Sequence, residues 1–230
     1  MKATISDITH ETHDVKTFTL DLNEELKFKT GQFIRLTIPN CDIPRPFSIS
    51  SQGGKSKQIT LTIKIYKDGR FTNKINKLNK GENVEIDGPY GHFIFEKSFK
   101  EDIVLICAGS GICTLHSIME FIINNNLKNN INFLYSVKTP KDIIFGERIK
   151  RLAKEKENLD FYVTITREIG DWTGATGRLT KKTLDKQIKN KKSLFYICGP
   201  SLFVKNIMNS LEELKINKES IKTERYGDDF

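Results

Sequence analysis

The sequence has no CxxC pair, and its four cysteines (Cys41, Cys107, Cys113 and Cys198) are scattered along the chain. Thiolate-held zinc and iron–sulfur centres need clustered ligands, so neither is expected. The four histidines are scattered too, and His10 and His13 fall beside a turn, as surface residues do. No metal site is expected. No apolar run approaches the length of a membrane span, which argues against membrane insertion. Met1-Lys2-Ala3-Thr4 lacks the apolar stretch of a secretory signal, so a cytoplasmic protein is expected. Internal repeats and low-complexity segments are absent. What is present is an ordinary globular composition, 37% hydrophobic and 10% aromatic over 230 residues. That length suffices for one large domain or two of common size. The net charge is +8. Its lysines lie in every segment, which reads as a solvated surface rather than a nucleic-acid site, with a residual field that favours an acidic partner.

Two rhythms divide the chain. In residues 1–99, Ile59, Leu61, Ile63 and Ile65 alternate with Thr60, Thr62 and Lys64, and Phe18, Leu20 and Leu22 alternate likewise. A period of two marks half-buried strands. Thr30-Gly31, Pro39-Asn40, Gln52-Gly53-Gly54 and Asp68-Gly69 punctuate them. Many short strands with such turns predict an antiparallel β-barrel. One short helix is expected over 69–78, with Phe71, Ile75 and Leu78 on one side. In residues 100–230 the apolar runs become continuous, at Ile103–Cys107, Ile131–Val137, Phe161–Ile165 and Leu194–Cys198. Between them lie helical stripes: Leu115, Ile118, Met119 and Ile122; Ile149 and Leu152; Phe203, Ile207, Leu211 and Leu214. Buried strands alternating with helices predict a doubly wound parallel α/β sheet. The boundary is expected near Lys97–Asp102.

Six motifs carry candidate chemistry. Arg45-Pro46-Phe47-Ser48 sets a guanidinium, an aromatic ring and a hydroxyl on one short strand, the groups that a pyrophosphate and a flat heterocycle require. Gly69-Arg70-Phe71-Thr72 follows the strand Thr62-Ile63-Lys64-Ile65 and reads either as a plain helix cap or as a phosphate-binding turn. Gly88-Pro89-Tyr90-Gly91-His92-Phe93 closes the first half, and its glycines allow tight turning. His92 has no required role. Gly109-Ser110-Gly111-Ile112 follows the first strand of the second half, where a doubly wound sheet binds nucleotide. It is not GxGxxG. Cys198-Gly199-Pro200 ends a later strand, and Glu224-Arg225-Tyr226 comes near the end.

In this order the motifs resemble the ferredoxin–NADP reductase superfamily of flavin-dependent oxidoreductases, over residues 3 to 226. The resemblance implies FAD rather than FMN as cofactor, with NADPH or NADH as hydride donor. It implies that Arg45 bonds the flavin phosphates, that Phe47 lines the flavin, and that Ser48 lies near flavin N5. Pro46, residues Thr62 to Ile65, Gly69, Phe71 and Thr72 belong to the same cofactor site. Phe47 stands where the family more often has Tyr. Gly109, Ser110, Gly111 and Ile112 are implied to hold the dinucleotide, with Ala108 in place of the family's first glycine and Thr114 in place of its proline. Thr166 and Arg167 match the place where NADPH users grip the 2′-phosphate, while Asp171-Trp172-Thr173-Gly174 resembles NADH-preferring oxygenase reductases. The dinucleotide preference stays open. Cys198, with Gly199 and Pro200, is implied beside the nicotinamide, Glu224 near it, and Tyr226 or Phe230 over the flavin. The catalytic set is then Ser48, Cys198 and Glu224. Without cluster-binding cysteines the acceptor must be a separate protein, and a ferredoxin or flavodoxin suits a basic monomer. The same lack argues against dihydroorotate dehydrogenase electron-transfer subunits. Other readings are a free-flavin reductase, the reductase component of an oxygenase system, and a non-catalytic binding module that kept the fold.

Overall fold

The computed structural model describes residues 1–226, apart from the side chain of Asp42. The chain forms two compact units: residues 1–96 with 116–124, and residues 97–115 with the chain from 125 onward.

The first unit is an antiparallel sheet of six strands. They are β1 (Lys2–Thr12), β2 (Val15–Phe28), β3 (Phe33–Ile38), β4 (Cys41–Ser48), β5 (Gly54–Lys64) and β6 (Asn83–Tyr90), with a short helix α1 (Arg70–Ile75) between the last two. The spatial order is β4-β3-β6-β1-β2-β5, and an isolated bridge between Ile49 and Leu61 brings the two ends of that order together as a barrel. The inward set is the alternating one. Ile59, Leu61 and Ile63 of β5 meet Phe18, Leu20 and Leu22 of β2 in one core with Phe71 and Ile75 of α1. Each such aliphatic side chain, fully buried, contributes roughly 1.5–3 kcal/mol. Gly31 permits one close approach: it has φ +94, and a Cβ there would lie 2.0 Å from the Phe93 carbonyl oxygen. That contact joins the start of β3 to the segment leaving β6.

The second unit is a six-stranded parallel sheet. Its strands are β7 (Ile103–Ala108), β8 (Ile131–Val137), β9 (Leu159–Ile165), β10 (Ala175–Thr176), β11 (Leu194–Pro200) and β12 (Ile221–Tyr226), in the order β10-β9-β8-β7-β11-β12. Along the chain helices α2 (Ile112–Asn124), α3 (Gly146–Glu155), α4 (Lys181–Gln187) and α5 (Ser201–Glu213) punctuate them, with residues 116–124 of α2 grouped in the first unit. All seven residues of β8 are buried, as a strand covered on both faces must be. Val204, Ile207 and Leu211 of α5 and Leu184 of α4 pack on Val104, Ile106, Phe195 and Ile197 of the sheet. Phe203 and Leu214 lie only partly buried beside that cluster, so the α5 stripe is turned toward Val204 relative to the expected one. At the opposite end of the strands, Asp102 ties three of them together. Its carboxylate accepts from the Asn130 backbone N–H at 3.2 Å and from the Asn130 and Asn190 side-chain amides at 2.9 Å each.

Candidate cofactor and dinucleotide sites

In the first unit, β4 runs antiparallel to β3, with Arg45 opposite Leu36, Phe47 opposite Ile34 and Ser48 opposite Phe33. Arg45 and Pro46 are exposed, and Phe47 and Ser48 are half-buried. The Phe47 ring meets the Phe71 ring at 5.6 Å between centroids, tilted by 37°. Two of the predicted segments, β4 and the Gly69 turn, are thereby joined through their aromatic residues. The turn itself is held by Thr72, whose hydroxyl accepts from the Tyr66 N–H at 3.2 Å and reaches the Gly69 carbonyl at 3.5 Å. A Cβ at Gly69 would lie 2.1 Å from that hydroxyl oxygen, so glycine is required for the closure. The Thr72 hydroxyl therefore braces the turn from within. Tyr66 stands exposed beside it, an aromatic face that sequence reasoning passed over. Its signal was a lone aromatic just after the alternating run and just before Asp68-Gly69.

The strand segment Thr62 to Ile65 offers main chain more than side chain. The Thr62 hydroxyl is engaged with Thr17 at 2.9 Å and Ser50 at 3.0 Å. Ile63 is in the core, Ile65 packs against it, and Lys64 pairs with Asp14 at 2.6 Å. Burial pushes the Asp14 carboxyl up, but the Lys64 hydrogen bond and charge outweigh it and hold it below the usual value of 3.8. These features fit a flavin nucleotide: an exposed guanidinium, an aromatic wall and a glycine turn with an exposed aromatic beside it.

In the second unit the chain leaves β7 at Ala108, makes a single tight turn over Gly109–Gly111 and enters α2. The order reverses on either side of β7, which puts this turn at the switch point of the sheet. Gly109 has φ +54. A Cβ on Gly111 would lie 2.3 Å from the Cys198 carbonyl oxygen, so the turn packs directly on the end of β11. This turn, in which Ser110 carries the single side chain between two glycines, fits a dinucleotide phosphate. Ser110 is half-buried and Ile112 buried.

Cys107, Cys198 and Glu224 occupy one row across β7, β11 and β12. The Cys198 thiol donates to the Glu224 carboxylate at 3.8 Å, and the Thr114 hydroxyl donates to the same oxygen at 3.1 Å. Burial, and then the Glu224 charge, push the Cys198 thiol well above its usual range. Gly199 is buried and Pro200 exposed. The Tyr226 hydroxyl accepts from the Gly111 N–H at 2.8 Å and donates to the Ala108 carbonyl at 2.5 Å. Phe230 lies outside the described residues. On the other side of the turn, Thr166 uses its hydroxyl on the Val137 carbonyl at 3.0 Å, while Arg167 is exposed.

Two family models match the chain. Residues 2–95 match the family model of an oxidoreductase FAD-binding domain, and residues 105–209 that of an oxidoreductase NAD-binding domain. The sulfhydrogenase 1 gamma subunit of Pyrococcus furiosus is 32% identical over 206 residues, which is 87% of this chain and 69% of that protein. The phenol hydroxylase P5 protein of Acinetobacter pittii is 24% identical over 98% of this chain, and the chain spans 65% of its length. The structure of the CS-b5R domains of human Ncb5or, in an NAD+ form, superposes with a TM-score of 0.89 at 27% identity, covering 97% of this chain and 68% of that one. Among the described residues, no helix is long and apolar enough to cross a membrane.

Proposed function

Since the chain belongs to the ferredoxin–NADP reductase superfamily of FAD- and NAD-binding oxidoreductases, we propose that it is a flavoprotein reductase. It takes a hydride from NAD(P)H and hands electrons to a separate protein, a ferredoxin or flavodoxin. The redox chemistry is what FAD supplies when bound, namely hydride acceptance and release of electrons to the acceptor. The chain's own residues hold and orient. Arg45 binds the cofactor phosphates through its planar fork, and the Phe47–Phe71 pair walls the ring system. Ser48 offers a hydroxyl at the edge of that wall. In the second unit the Gly109–Gly111 turn receives the dinucleotide phosphates, with Ser110 and Ile112 beside it. Arg167 supplies a cation near the adenosine end, with Thr166 shaping the strand end that carries it. Cys198, kept neutral by burial, gives a small apolar surface beside the nicotinamide, and Glu224 fixes it from the neighbouring strand.

The observation that carries this reading is the meeting of Phe47 and Phe71 at 5.6 Å beside the exposed Arg45. It joins a phosphate-binding group and an aromatic wall from two separated segments. The purified protein tests it directly. A flavin absorption spectrum that bleaches on anaerobic addition of NADPH or NADH supports the reductase and identifies the donor. Flavin lost on dilution would favour a free-flavin reductase. A colourless protein that takes up neither FAD nor FMN would sink both.

A further inference from the structure

Glu224 and Tyr226 are two residues apart on β12 and so leave the same face of the strand. Both reach the beginning of α2. Glu224 takes the Thr114 hydroxyl, and Tyr226 takes the Gly111 N–H at 2.8 Å while donating to the Ala108 carbonyl at 2.5 Å. Gly111 and Tyr226 are 115 residues apart in sequence, so the contact has no local cause. The first N–H groups of a helix lack partners within the helix, and anionic oxygen is their favoured substitute. A phenol oxygen and a phosphate oxygen therefore seek the same hydrogen. The donation to Ala108 fixes the phenol so that its lone pair points at Gly111. The phenol oxygen also lies against the turn, since a Cβ on Gly109 would be 3.6 Å from it.

We infer that Tyr226 competes with the dinucleotide phosphate for the Gly111 N–H, so that Tyr226 sets the affinity for the dinucleotide. The inference rests on the reading that the Gly109–Gly111 turn receives those phosphates. The strand is built to let go. β12 is an edge strand paired with β11 alone, and the register partner of Tyr226 is Pro200, which has no N–H to give the ladder. Tyr226 can leave the turn while the pairs from Ile221 to Glu224 hold.

The test uses the full chain with ADP-ribose and its 2′-phosphorylated form, which carry the pyrophosphate without the nicotinamide. Affinity is measured by calorimetry for the unaltered protein and for Tyr226→Phe, which keeps the ring and loses the hydroxyl. Amide signals are followed by NMR. Loss of one competing hydrogen bond should tighten binding about 2- to 12-fold. Equal or weaker binding by Tyr226→Phe, with the Gly111 amide signal moving on ligand addition, overturns the competition while leaving the phosphate site intact. Ligand binding that leaves the Gly111 amide unmoved overturns the placement of the phosphates, and the inference with it. A readout without any variant is the ring carbon signal of Tyr226 in isotope-labelled protein. It should shift at saturating ADP-ribose, and a signal that stays in place overturns the inference.

Discussion

Arg45 and Cys198 illustrate two ways in which a single side chain could matter. Arg45 is exposed, and no hydrogen bond or ion pair to its guanidinium is found among the described residues. Its removal therefore costs the fold little. If it holds cofactor phosphates, Arg45→Ala loses charge-assisted bonds and should weaken FAD retention about 10- to 100-fold, read by equilibrium dialysis, with the melting temperature of the flavin-free protein unchanged. Cys198 is the opposite case. It is 2% exposed, and burial, followed by the Glu224 charge, raises its thiol well above 9.0. On the proposed reading the neutral thiol shapes the site and moves no proton. Cys198→Ala should leave flavin bound and slow its reduction by NAD(P)H by up to about 100-fold through misalignment. Stopped-flow rates measured across pH should show no thiol-linked step below 9.0 in the unaltered protein. A rate in the alanine variant equal to that of the parent would remove Cys198 from the mechanism.

Among elements, the parallel sheet has a division of labour between its two ends. The turn after β7 is the end proposed to receive the dinucleotide, whereas the other end is fastened by Asp102, which joins the segments leading into β7, β8 and β11. The Asn190 hydrogen bond, partly opposed by burial and helped by Asn130, holds the Asp102 carboxyl below its usual 3.8. A group depressed in the folded state contributes stability above its unfolded value and loses it as pH falls through the folded one. Asp102→Asn should therefore lower the unfolding free energy read from denaturant titration at pH 7, by no more than about 1 kcal/mol because the site is solvated. The difference from the parent should shrink below pH 3.8. A gap that persists in acid would mean that geometry, not charge, is what Asp102 provides. The elements themselves were legible in the sequence wherever burial follows a local period. Ile59, Leu61 and Ile63 announce β5, and the unbroken run Ile131–Val137 announces a strand covered on both faces. Side-chain partners were not legible in this way. The sequence cannot say that Thr62 spends its hydroxyl on Thr17 and Ser50, that Thr72 braces its own turn, or that Tyr226 answers Gly111. The Thr17–Thr62 and Gly111–Tyr226 contacts span 45 and 115 residues, which no window along the chain contains, and the Thr72 contact depends on a rotamer that local sequence does not fix.

For the whole molecule, the net charge of +8 is the property that a partner meets first. If the acceptor is an acidic electron carrier, the association rate should fall steeply as ionic strength rises, while reduction by NAD(P)H changes little. Steady-state assays from about 0.01 to 0.5 M salt separate the two, since the Debye length shrinks severalfold across that range. A salt-independent rate with the carrier would argue that the lysines only solvate the surface. The two-unit architecture was legible as a change of rhythm, from alternation to continuous apolar runs, because each sheet type leaves its own burial period. The strand order adds something to how the protein is made. β7 lies between β8, about two dozen residues later, and β11, almost ninety residues after its own end. Its pairing with β8 can form early. Its other edge must wait until most of the second unit has been assembled, because closing so long a loop is slow. For that interval a strand reading Ile-Val-Leu-Ile-Cys-Ala presents bare amides and carbonyls along an apolar ribbon. Such an edge invites pairing with another chain. The central strand that carries the Gly109–Gly111 turn is thus also the segment on which aggregation during refolding should centre.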